Sequence, residues 1–230
     1  MKIMGIDSST PQGSVALLEN GQILAQAEVG NNSAFSNQIL KLLDTVLNES
    51  KSRLGDVHGF CLTTGPGSFT GLRVGASLLK GLVLATSKPF VKIDTLEATA
   101  LRAIPSSNNI CAVLDAKKQE LYTATFREHN GALKRLTPDR AIAPEDLCQE
   151  IKEPTVFIGN GLDTYGDLLA SRLKDFFLPA PQNLPFTVAG CAARLAEAHF
   201  GDEKLFDLNE LTLKYVRRSE AEINNLKGGH

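Results

Sequence analysis

The chain has 230 residues, 43% of them hydrophobic and 22% charged, with a net charge of −2. That suffices for one large domain or two small lobes with buried cores, and the composition is that of a globular protein. No basic cluster exceeds Arg217-Arg218, which excludes a protein that grips a nucleic-acid backbone on its own.

Residues 1–6 read as a short buried strand ending at Asp7, and residues 14–18 and 22–29 as two more. Asn20-Gly21 between them tolerates the positive φ of a type I′ hairpin turn. Phe35, Ile39, Leu42, Leu43, Val46 and Leu47 recur at helical spacing, predicting a helix over 36–50 that Ser33 or Ser36 caps. An apolar strand over 58–63 runs into a glycine-rich turn and a helix over 70–86. A strand over 89–93 and a short helix over 95–103 follow.

The pattern then begins again. Strands are predicted over 110–114, 120–126 and 133–136, with a turn at Asn130-Gly131. A short helix after Pro144, a strand over 155–158, the turn Gly159-Asn160-Gly161, a helix to about 173 and a last helix over 184–200 complete it. Three antiparallel strands followed by alternating helix and strand, twice over, predict two βββαβα lobes in an α/β chain. The boundary falls in the loop 105–109, giving lobes 1–104 and 105–206, with 207–230 crossing back to complete the first.

Two places could carry chemistry. Gly65, Gly67 and Ser68 follow a strand and open a helix, a turn in which backbone N–H groups and the helix dipole can hold an anion. Close helix packing explains the same glycines, and the turn matches neither a P-loop nor a dinucleotide fingerprint. Asp7, Ser8 and Ser9 end the first strand, where a carboxylate and hydroxyls could meet a phosphate and its magnesium; a strand-terminal Asp capping a turn is the alternative. Asp115 repeats the position in the second half. Cys61, Cys111, Cys148 and Cys191 are scattered without a CxxC pair, and the four histidines are isolated. Neither a disulfide framework nor a metal site is expected. No secretory signal opens the chain and no apolar run reaches the about 20 residues of a membrane span, so a cytoplasmic protein with no membrane partner is expected. Gly228-Gly229-His230 has the look of a cloning remnant and is set aside.

The run GPGSFTGLRVG from Gly65 to Gly75 resembles the signature shared by the TsaB (YeaZ-like) family and its catalytic paralogue TsaD, in the TsaB form. Ile6 to Thr10 is similar to the TsaB opening strand and loop. Asp115 to Tyr122 is similar to its DARxxExY element, with Lys117 for Arg, and Tyr215 to Glu222 to its YxRxSEAE ending. The resemblance implies a two-lobed actin-like (ASKHA, ribonuclease-H-like) fold with a reduced second lobe. TsaD-like proteins carry NHxxxH, whose histidines bind the catalytic metal; Thr95 and Thr99 stand in those places here, and threonine cannot replace an i, i+4 histidine pair.

The resemblance therefore implies a non-catalytic subunit with no metal. It would activate a TsaD-type transferase, with a TsaE-type ATPase, in threonylcarbamoylating the adenosine beside the anticodon of tRNAs reading codons that begin with A. It implies contact with tRNA only through the complex, and a homodimer when the partner is absent. No tightly bound cofactor is implied for this subunit alone; ATP or ADP with magnesium at the complex interface stays open. The first two helices are the family's association surface, which implies an interface of Phe35, Ile39, Leu42, Leu43, Val74, Leu78, Leu79 and Leu82. Read without the resemblance, the apolar residues of the second helix face their own sheet. Phe35 and Lys41 depart from the family's usual His and Pro. The rival readings are an actin-fold kinase using Asp7 and the Gly65 loop, and a metallopeptidase, for which no ligand set exists in the sequence.

Overall fold

The structure is a computed structural model describing residues 1–29, 38–181, 183–200 and 207–216. Two sheets organise it. The first contains β1 (Lys2–Asp7), β2 (Ser14–Glu19), β3 (Gln22–Glu28), β4 (Gly59–Thr63) and β5 (Phe90–Ile93) in the order β3-β2-β1-β4-β5. β1, β2 and β3 are antiparallel, whereas β4 runs parallel to both β1 and β5. Its helices are α1 (Ile39–Glu49), α2 (Phe69–Thr86) and α3 (Thr95–Leu101).

The second sheet repeats the plan. Its strands are β6 (Asn109–Asp115), β7 (Leu121–His129), β8 (Ala132–Arg135), β9 (Arg140–Ile142), β10 (Thr155–Ile158) and β11 (Phe177–Pro179). The order β8-β7-β6-β10-β11 matches the first sheet strand for strand, with β9 added beside β7. Its helices are α4 (Pro144–Glu150), α5 (Leu162–Leu173) and α6 (Val188–Glu197). Both predicted hairpin turns are present, with φ of 48° and 79° at Asn20 and Gly21 and of 52° and 79° at Asn130 and Gly131. Left-handed backbone at both positions matches the twist of the flanking strands, which asparagine and glycine adopt at little cost.

Alternation along the strands sends side chains to two faces of each sheet. On the first sheet, Met4, Ile6, Val15 and Leu17 meet α1 and α2, while Ile3, Leu18 and Cys61 face α6. On the second, Ile110, Ala112 and Leu114 meet Leu96 and Ala100 of α3, and Cys111 and Val113 meet α4 and α5. Helices α3 and α6 thus cross over: α3 packs on the second sheet and against α6, and α6 packs on the first. Small residues make this possible. A Cβ at Gly5 would lie 2.3 Å from the Ala189 carbonyl oxygen, and Ala189, Gly190, Cys191, Ala192 and Ala193 are all buried.

Several boundaries differ from the sequence reading. The last helix is Val188–Glu197 rather than 184–200, capped by the Thr187 hydroxyl. β9 and β11, three residues each, had no counterpart in it. Helix α1 is described from Ile39; Ser33, Phe35 and Ser36 lie outside the described residues, as do Arg217 to Glu222 of the C-terminal motif and Gly228 to His230. Helix α2, at 18 residues, is the one described helix long and apolar enough to cross a membrane by length and composition alone, a test that a core helix also passes. Its inward face, Leu72, Gly75, Leu79, Leu82 and Val83, is nonetheless buried, the last three in the core under the first sheet.

Candidate functional site

The loop after β1 is organised by Asp7, which is fully buried. Its Oδ1 accepts from the Ser9 N–H (3.0 Å), the Ser9 hydroxyl and the Thr63 hydroxyl of β4 (2.6 Å), and its Oδ2 from the Thr10 hydroxyl (2.6 Å). Charge-assisted bonds of this kind compensate the burial of a carboxylate. Ser8 Oγ is buried without a hydrogen-bond partner among the described residues, and a Cβ on Gly75 would meet it at 2.0 Å.

The glycine run lies directly on this loop. Cβ atoms at Gly67 and Gly71 would stand 2.3 Å from the Ser9 carbonyl oxygen and 2.0 Å from that of Ser8. The Ser68 N–H donates to the Ser9 carbonyl (2.9 Å), and the Gly71 N–H to the Ser68 hydroxyl that caps α2 (3.2 Å). Asp7, Ser8, Ser9, Gly65, Gly67 and Ser68, the expected anion site, are therefore gathered in one place. The Ser68 N–H and the space at Gly67 and Gly71 are used for packing one loop on the other. The Ser8 and Ser9 carbonyl oxygens lie against the glycines of the turn.

Thr95 and Thr99 are buried on α3. Thr95 Oγ1 accepts from the Gly65 N–H (3.2 Å), and the Thr99 hydroxyl donates to the Thr95 carbonyl (2.8 Å). Among the described residues no three His, Cys, Asp or Glu side chains converge as metal ligands. Burial pushes the Cys111 and Cys191 thiols up, to about 11 and about 12, and Cys61 higher still, the signature of inert core cysteines. Asp115 is held by Lys117: the Lys117 N–H and Nζ donate to its two oxygens at 2.8 Å each. Partial burial raises its pKa, and these bonds outweigh that and bring it below the usual value.

A charged cluster missed from the sequence lies at the seam between the sheets. Asp94, which caps α3 by accepting from the Glu97 N–H, contacts Arg135 of β8 at 3.0 Å and Lys214 at 2.9 Å. Asp139 contacts the Arg135 guanidinium and lies 2.5 Å from Lys214 Nζ. Burial, then the hydrogen bond and charge of Asp94, push Asp139 up to about 6. Burial also raises Asp94, but Asp139, Lys214 and Arg135 outweigh it and leave its pKa lowered. Of the two carboxyls, Asp139 is therefore the one raised and Asp94 the one lowered. Positions 94, 135, 139 and 214 share no local pattern, so no sequence signal marks them.

The expected interface residues fall on different faces. Ile39, Leu42 and Leu43 of α1 and Leu79 and Leu82 of α2 are at most 9% exposed, inside the chain's own core; this corrects their assignment to a docking surface. Val74 and Leu78 are half-buried, and Phe35 lies outside the described residues. The residues turned outward are Leu40 (60% exposed) on α1 and Leu84 (73% exposed) on α2. With Leu84 run Thr70, Arg73, Ser77, Gly81 and Ala85, all exposed, at the i, i+3/4 spacing of one helix stripe. Past Arg73, the C-terminal half of this stripe is a leucine among small residues, which suits the close approach of another helix.

Residues 30–224 match the family described as TsaD, tRNA N6-adenosine threonylcarbamoyltransferase. The chain is 28% identical over 229 residues to the tRNA threonylcarbamoyladenosine biosynthesis protein TsaB of Bacillus subtilis (strain 168), covering 96% of each. It is 29% identical over 195 residues to TsaB of Escherichia coli (strain K12), covering 80% of this chain and 84% of that one. The crystal structure of a Pseudomonas aeruginosa protein with similarity to peptidase YeaZ superposes with a TM-score of 0.76 at 21% identity, over 94% of this chain and 99% of that one. With two sheets of one strand order, the shared fold is the two-lobed actin-like one, and the chain belongs to the TsaD family as a TsaB-like (YeaZ-like) member.

Proposed function

We propose that this chain is a non-catalytic, partner-activating subunit in tRNA threonylcarbamoyladenosine biosynthesis, docking on a TsaD-type transferase through the outer face of α2 and the neighbouring α1. The observation that carries this reading is the division of α2. Five of its eighteen residues are buried, and the outer stripe presents Leu84, 73% exposed among the described residues. In support, Thr95 and Thr99 spend their hydroxyls on backbone groups of the fold, and the Asp7 carboxylate is surrounded by donors from its own chain. In this reading the docking helix belongs to the first lobe, residues 1–104 completed by the C-terminal segment, and the lobe 105–206 supports it. The transferase performs the chemistry and makes most of the tRNA contact, in the cytoplasm. A TsaE-type ATPase joins them, with ATP or ADP and magnesium at the complex interface rather than in the Asp7 loop. The same stripe pairs two copies when the transferase is absent.

The test is co-purification with a TsaD-type transferase, followed by formation of threonylcarbamoyladenosine in a reconstituted reaction with and without this chain. Leu84→Glu should abolish capture and the stimulation of modification while leaving the circular dichroism spectrum and the unfolding midpoint unchanged. Undiminished capture by a folded Leu84→Glu protein sinks the interface. Modification that proceeds equally well without the chain sinks the activating role.

A further inference from the structure

The segment Asp207–Val216 returns from the second half of the chain to the edge of the first sheet. It has one 3-10 turn, Leu208–Glu210, and otherwise no regular structure. Leu208 and Leu211 rest against the core of the first sheet, and Val216 against that of the second. Its backbone is tied at two points: the Lys214 N–H donates to the Thr64 carbonyl (2.7 Å), and Lys92 Nζ donates to the Glu210 carbonyl (2.8 Å). The Lys214 carbonyl oxygen lies against Gly65, where a Cβ would meet it at 2.4 Å. Tyr215 stacks on Phe69, the first residue of α2, with ring centroids 4.9 Å apart and planes 10° from parallel.

We infer that Asp94, Arg135, Asp139 and Lys214 form a charge latch that holds this segment as a releasable strap over the glycine run and the first turn of α2. Asp94 comes from the first half of the chain, Arg135 and Asp139 from the second and Lys214 from the strap, so one cluster joins all three. The carboxylates are buried, with side chains 14% and 1% exposed, while the Lys214 side chain is 49% exposed. The fixed half of the latch is therefore dry, and the half carried by the strap can withdraw into water. Without the ammonium, Asp94 and Asp139 face each other with Arg135 alone to offset two charges in a poorly solvated place. A segment with little secondary structure and few backbone bonds opens locally at low cost, so the charges decide whether it stays down. Release uncovers Phe69 and the Gly65 turn at the start of the docking helix. The regulatory consequence rests on the reading of α2 given above; the latch itself does not.

Hydrogen exchange followed by mass spectrometry on the full chain, free of any partner, tests the latch. In Lys214→Gln the peptide over 207–216 should exchange about tenfold faster than in the wild type, with the peptide over 65–72 following it and that over 109–115 unchanged. Lys214→Arg should restore protection. Equal, wild-type exchange over 207–216 in the Gln and Arg variants overturns the proposal, since apolar packing would then hold the strap unaided. Should Lys214→Gln lose its folded sheets, Asp94→Asn removes charge from the fixed side while keeping a residue that caps α3, and unchanged strap exchange there overturns the proposal equally. A transferase that ignores Leu84→Glu would refute the docking reading and leave these rates as they are.

Discussion

Thr95 and Gly65 hold each other by two reciprocal hydrogen bonds: the Gly65 N–H donates to Thr95 Oγ1 at 3.2 Å, and the Thr95 N–H donates to the Gly65 carbonyl at 3.0 Å. Thr95 is fully buried, so its hydroxyl fastens the glycine turn to the first residue of α3. Thr95→Val keeps the shape and removes the acceptor, stranding a buried N–H. A loss of about 1–3 kcal/mol is expected in urea unfolding. An unchanged midpoint would mean that the turn finds another acceptor.

Glycines on α2 answer to different neighbours. Gly81 is exposed with nothing within 4 Å of a Cβ, whereas a Cβ at Gly71 meets a backbone oxygen at 2.0 Å. Gly81→Ala should stabilise the free chain by about 0.5–1 kcal/mol through helix propensity. Gly71→Ala should destabilise it, because the Ser8 backbone must move. If the outer stripe meets a partner helix closely, Gly81→Ala also weakens capture while raising the melting temperature. Capture that strengthens in step with stability would argue against close packing at that point.

Acid titration should expose the Asp94–Asp139 pair. Asp139 is raised to about 6 in the fold and returns to about 4 when unfolded. The folded state binds the extra proton between those values, so this contribution favours the fold at low pH and is lost as pH rises through about 6. Asp94, lowered in the fold, acts oppositely: its contribution is present above the unfolded value and is lost as pH falls further. Arg135, Lys214 and Glu97 complete the described charged surroundings. Screening by water around the half-exposed Lys214 reduces the effect to about 1 kcal/mol, or about 2–4 °C in melting temperature between pH 5 and pH 7. Asp139→Asn should flatten that slope, and parallel curves for the two proteins would exclude the pair as its source.

Much of the fold is legible residue by residue. Asn20-Gly21 and Asn130-Gly131 announce hairpins because few other pairs tolerate positive φ twice in succession, and the repeated order of strands and helices points to two similar sheets. β9 and β11 are silent because three residues carry no period; they are strands only because β7 and β10 offer them an edge. The helix over 188–197 is readable, but its place on the first sheet is not, since Gly5 and Ala189 approach each other only after both halves have folded.

By itself, then, the sequence determined where the chain turns, which stretches are helices and strands, that two halves repeat, and through the run Gly65 to Gly75 which family the chain resembles. These are local properties, set by backbone preferences and residue spacing. Tertiary structure decided which side of α2 is inward. Leucines at 78, 79, 82 and 84 make more than one apolar stripe, and spacing cannot say which of them the sheet buries; packing chose Leu79 and Leu82 and left Leu84 outside. It also decided that the glycine run holds the Ser8-Ser9 loop, and that Asp94, Arg135, Asp139 and Lys214 meet at all. Burial and charge pairing act between neighbours in space, and these neighbours are made by the crossing of the chain between its two sheets.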